Sequence, residues 1–224
     1  MRRIGSTRGG VALSCLLTVA LAQLGRAQLP NAPVLQNAFV NPGITAALNF
    51  SNLSGASSYA GAAAWAPGSA RFQVSAGLGA QTHSGGPTRT VYGARVNVPF
   101  VGATSSLGFS AFVGYGVLSG GGSLDSSEAK SVVPLGVTAG YRKPIGTSHG
   151  FSIYGSPIYE FVARGGGASN VNVFRGAIGL DVGITSSIGL TLGLEFGGSE
   201  PTGSGKPSGT AFGGAISYAF SAGR

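Results

Sequence analysis

The sequence predicts an all-β chain: an antiparallel, up-and-down transmembrane β-barrel of ten strands, with eight as the alternative count. Three observations carry this. Charged residues are only 9% of the chain, too few for an ordinary soluble surface, while 43% apolar residues are too many for a disordered chain. The 41 glycines suit strands but not helices, where each interior glycine costs about 1 kcal/mol against alanine. Side chains also alternate, bulky against small, along almost the whole chain after residue 42.

The N-terminus reads as a secretory signal over residues 1–27. Arg2, Arg3 and Arg8 form a basic start, and an apolar run follows from Val11 to Ala22. The run is too short for a spanning helix, and small residues offer cleavage after Ala27, with Ala22 as the alternative. Losing Arg2, Arg3, Arg8 and Arg26 leaves ten basic and six acidic residues, so the formal charge of +8 falls to +4. The basic balance is then poor evidence for nucleic acid, and none is predicted as a partner. The single cysteine, Cys15, lies in the signal, so the remaining chain has no disulfide chemistry. Residues 28–42 read as a short periplasmic lead-in.

Alternation and turn residues place strands at about 43–51, 58–66, 70–82, 88–100, 106–118, 131–143, 150–162, 170–185, 188–198 and 210–220. APGS, VGATS, PIGTSHG and TSSI read as short connections. SNLSGAS, THSGGPT, SGGGSLDSSEAK, ARGGGASN and GSEPTGSGKPSG read as longer ones. Membrane barrels pair long outer loops with short periplasmic turns, so this alternation with an even strand count puts both chain termini in the periplasm. Each strand has an apolar face and a face of glycine, small polar residues and isolated charges. Leu190, Leu192, Leu194 and Phe196, for example, alternate with Gly189, Thr191, Gly193, Glu195 and Gly197.

Aromatic residues on the apolar faces fall into two girdles around an aliphatic band. Phe50, Tyr59, Tyr92, Tyr115, Tyr159, Phe161, Phe174, Phe196 and Phe212 fall near the outer ends. Trp65, Phe72, Phe100, Tyr141, Phe151 and Phe220 fall near the periplasmic ends. The charges assigned to strands (Arg71, Arg95, Arg142, Glu160, Arg175, Asp181 and Glu195) fall on the opposite face. A lipid-facing arginine costs about 2–4 kcal/mol at the midplane, so these residues are assigned to the lumen. Arg175 is predicted to bridge Glu160 and Glu195. Arg71, Arg95 and Arg142 lie toward the periplasmic end, either as an anion-favouring filter or as members of a plugged interior.

The chain closes with FGGAISYAF. Its bulky residues, Phe212, Ile216, Tyr218 and Phe220, share one face, and small residues fill the other. In hydrocarbon every backbone group needs a partner, so this strand must pair with the first. An aromatic-ended terminal strand resembles the C-terminal insertion signal of bacterial outer-membrane β-barrel proteins. The resemblance spans residues 43–220 and names a class. It implies that Tyr218 and Phe220 are read by the barrel-assembly machinery, in an outer membrane of the Gram-negative type, with its lipid as partner. The tail at 221–224, SAGR, departs from that pattern.

Candidate chemistry is sparse, and no enzyme is predicted. His83 and Ser84 are adjacent, so on an extended chain they point apart, poorly placed as base and nucleophile. His149 falls in a predicted turn. Asp125, Glu128 and Glu200 lack calcium-loop spacing, no His/Cys cluster suggests a metal, and no cofactor is predicted. The expected function is a structural or porin-like barrel passing small anionic solutes. A rim enzyme, lipid-modifying or proteolytic, and a surface binding or adhesion barrel are the alternatives. The oligomeric state is not set by the sequence.

Overall fold

A computed structural model describes residues 38–53, 56–83, 88–101, 105–119, 129–145, 149–164, 169–197 and 210–220. The predicted signal, most of the lead-in and the 221–224 tail lie outside the described residues. Ten strands form: β1 (Gly43–Leu53), β2 (Ala56–Ala66), β3 (Gln73–His83), β4 (Arg89–Pro99), β5 (Leu107–Ser119), β6 (Ala129–Ile145), β7 (His149–Arg164), β8 (Val171–Gly183), β9 (Ile188–Gly197) and β10 (Ala211–Phe220). Each pairs antiparallel with its sequence neighbours, and β1 pairs with β10 from Ile44↔Phe220 to Asn52↔Phe212, closing the ring. Closure leaves no unpaired strand edge. The strand count of ten, rather than eight, and the up-and-down order are as the alternation predicts.

The barrel has a turn end, where β1 begins and β10 finishes, and a loop end. Only positions 54–55 separate β1 from β2, so the strands run through most of the predicted first long loop. The two strands zip together as far as Leu53↔Ala56 and consume most of SNLSGAS. At the turn end, Pro67–Ala70 form a turn in which the Ala70 amide donates to the Pro67 carbonyl at 2.8 Å. Ala70 has a φ of 49°, which interrupts the extended chain, so β3 starts at Gln73. Arg71, predicted inside a strand, therefore sits exposed in this connection.

The outward face is apolar. Leu48, in the middle of β1, is 74% exposed, and Leu78, Val113, Val137, Ile153, Ile178, Leu192 and Ile216 are exposed around the ring. Aromatics flank this band in packed pairs: Phe50 with Tyr59 across the β1–β2 ladder, Trp65 with Phe72, Tyr159 with Phe161, and Tyr218 with Phe220. Tyr92, Tyr115, Phe174 and Phe196 are exposed toward the loop end, and Phe100 and Tyr141 toward the turn end, while Phe151 and Phe212 are half-buried. Phe109, also exposed, joins the turn-end girdle.

Interior glycines make room for aromatic rings that lie over them from the neighbouring strand. A Cβ at Gly179 would collide with the ring and hydroxyl of Tyr154, and one at Gly136 would meet Phe112 Cζ at 2.7 Å. Outward Gly61 has nothing within 4 Å of that position. Gly179→Val should therefore destabilise the refolded barrel by about 1–3 kcal/mol through overpacking, with Gly61→Val the smaller effect. Urea unfolding midpoints compare the two.

Candidate functional site: the barrel interior

The inward positions are set by strand parity. On β4 the inward series is Arg89, Val91, Gly93, Arg95 and Asn97; on β7 it is Ser152, Tyr154, Ser156, Ile158, Glu160 and Val162. An eight-stranded barrel is just filled by side chains, and a ten-stranded one has a wider bore to fill. Here large residues occupy that space in layers.

At the turn end Ala38, Phe39 and Tyr154 pack together, and Val40 packs with Ala66 and Ala70. The end of the predicted periplasmic lead-in is thus not outside the barrel: Ala38–Val40 are buried in its mouth. Gly43 explains the path. Its φ of 104° lets the chain fold back from β1 into the lumen, a conformation that a β-carbon disfavours. Arg142 stands over the Phe39 ring, 4.6 Å from its centroid, and its Nε donates to the Ser105 carbonyl at 3.0 Å. Nearby, Asp181 accepts from the Ser152 hydroxyl at 2.9 Å and the Thr191 hydroxyl at 2.6 Å.

Arg95 forms the middle layer. It is only 4% exposed, its Nε donates to Asn97 Oδ1 at 3.0 Å, and its guanidinium lies 3.5 Å from the centroid of Phe112. A desolvated cation on an aromatic face gains about 2 kcal/mol, which offsets part of the cost of burial. Phe112 packs in turn on Ile158 and Ala177. Thr138 and Ser156 hydroxyls bond each other at 2.9 Å, and the Ser156 hydroxyl also lies 2.8 Å from the Val137 carbonyl, to which it can donate.

Toward the loop end, Glu160, Arg175 and Glu195 come from β7, β8 and β9. Register places Arg175 diagonally from both acids, because it faces Ile158 on one side and Gly197 on the other. Arg175 Nε donates to Glu195 Oε1 in a buried ion pair. Glu160 is buried within electrostatic reach of both but makes no ion pair with Arg175, so the predicted double bridge is a single one. Beyond this layer Val132, Val162 and Val173 cluster.

The seven sequence-assigned lumenal charges therefore divide. Arg95, Glu160, Arg175 and Glu195 are buried inside, Arg142 and Asp181 are half-buried near the turn end, and Arg71 lies outside the strands. Arg89, Tyr154, Phe112 and Arg164 share the inward parity without having been singled out. His149 is exposed at the start of β7, the backbone of His83 ends β3, and Ser84, Asp125, Glu128 and Glu200 lie outside the described residues. Among the described residues, no group of three or more His, Cys, Asp and Glu could hold a metal ion.

No protein-family model and no curated protein matches the chain in sequence. Among solved structures, the chain is similar to the N-terminal β-barrel domain of Pseudomonas aeruginosa OprF, with TM-score 0.38, 7% identity, and coverage of 79% of this chain and 96% of that one. It is also similar to LpxR from Salmonella typhimurium, with TM-score 0.45, 9% identity and coverage of 74% and 73%. The third is the translocator domain of the autotransporter NalP from Neisseria meningitidis, with TM-score 0.35, 12% identity and coverage of 83% and 90%. No residue role is carried over from any of them.

Proposed function

We propose that the chain is a non-enzymatic, structural β-barrel of the bacterial outer membrane whose lumen is closed. The observation that carries this is the stack of buried inward side chains, Arg95 on Phe112 in the middle layer and, toward the turn end, Tyr154 lying over Gly179 of the neighbouring strand. The apolar outer band and its aromatic flanks support the membrane placement. A porin-like barrel passing small anions is the second reading. It is favoured by inward arginines, Arg89, Arg95, Arg142, Arg164 and Arg175, outnumbering the inward acids Glu160, Asp181 and Glu195.

Conductance of the refolded chain in a planar bilayer tests the proposal. The structural reading predicts an inserted barrel without steady openings. Steady, anion-selective openings that weaken in Arg95→Ala would replace it with the porin-like reading. Failure to insert at all would overturn both.

A further inference from the structure

Phe39 occupies a seat that the strands have left for it. Gly108 and Gly140 face each other across the β5–β6 ladder and both point inward. A Cβ at Gly108 would meet Phe39 Cε1 at 2.6 Å. One at Gly140 would meet Ala38 Cβ at 2.9 Å and Phe39 Cε2 at 3.2 Å. The paired glycines are a flat pad under the ring, with the Arg142 guanidinium standing over the ring as well. Packing an aromatic over strand glycines restores the contact they lack. The segment that carries Phe39 lies outside the sheet and joins it through Pro42 and Gly43, the latter at positive φ. A ring seat, a cation and a positive-φ glycine together hold this segment in the mouth.

We infer that Ala38–Val40 is a stopper for the turn-end mouth, and that its release opens the interior to small anionic molecules as far as Ser110. Ser110 is the next inward residue after Gly108 on β5 and is 1% exposed with its hydroxyl unpartnered. It pairs with Thr138, so it lies just inside the glycine pad. Release would also leave Arg142 without its aromatic partner and free to attract anions at the mouth. The inference rests on the proposed barrel function, since it needs a mouth that opens to an aqueous compartment.

Cysteine accessibility tests it. The chain from Gln28 onward has no cysteine of its own. Ser110→Cys is introduced alone, with Phe39→Ala, and with Gly108→Val, which keeps Phe39 but fills its seat. Each refolded barrel is treated with the anionic reagent sulfonatoethyl methanethiosulfonate. Strand-rich circular dichroism and heat-dependent gel mobility report separately on whether the barrel is intact. The stopper predicts slow labelling with the seat occupied. Both second substitutions should speed it about tenfold or more, as expected from losing the burial of one phenylalanine. Equal rates in all three intact barrels, or fast labelling with the seat occupied, would overturn it. If Phe39→Ala does not fold, the Gly108→Val comparison decides on the same two outcomes.

Discussion

Arg175→Ala should lower the unfolding free energy of the refolded barrel by about 3–5 kcal/mol, the cost of leaving a buried charge without its partner. The geometry makes this the most exposed point of the interior to mutation. Arg175 donates to Glu195, and Glu160 is buried beside them on the neighbouring strand. Removing the cation leaves two carboxylates facing each other in a desolvated layer. Replacing the pair together, Arg175→Met with Glu195→Leu, should recover much of the loss, because well-packed apolar side chains substitute for a buried ion pair at little cost. Equilibrium urea unfolding in lipid vesicles measures both. An Arg175→Ala loss within about 0.5 kcal/mol, typical of a surface site, would mean that this layer is solvated and the lumen open.

Leu48→Arg should cost about 2–4 kcal/mol in a bilayer, as an arginine on the lipid face does at the midplane. Leu48 stands in the middle of β1, outward-facing, between Gly61 on β2 and Ile216 on β10. The same substitution separates a membrane barrel from a soluble one. On a water-exposed wall an exposed leucine can become arginine within about 0.5 kcal/mol. Unfolding in vesicles therefore reads directly what covers the outer wall.

The strands were legible because their physical cause is local. A period of two in side-chain size, broken by Gly, Ser and Pro, marks each of the ten, and closure follows from an even meander with no edge left in hydrocarbon. The inward placement of Arg95, Glu160, Arg175 and Glu195 follows from the same parity. What was not legible depends on neighbours distant in sequence. Nothing about Ala70 announces a positive φ, so the turn that leaves Arg71 outside the strands could not be read. Tyr154 has the parity of Glu160, but its room comes from Gly179 on the next strand, visible only once register is known. Phe39 lies before the first strand, and its seat is divided between β5 and β6. The pairing of Arg175 with one acid rather than two depends on side-chain direction, which strand order leaves open.

Trp65 gives the most direct test of the membrane-barrel account. It is the chain's one tryptophan, 48% exposed on the outer wall near the turn end and packed edge-on against Phe72. The measurement is quenching of its fluorescence after refolding into vesicles whose acyl chains carry bromine at shallow or deep positions. A membrane barrel should show strong quenching, greatest for the shallow bromines, because an aromatic girdle sits at the boundary of the hydrocarbon. Fluorescence unaffected by either lipid, in a chain that has folded to its strand-rich form, would contradict the account and leave a barrel that lives in water.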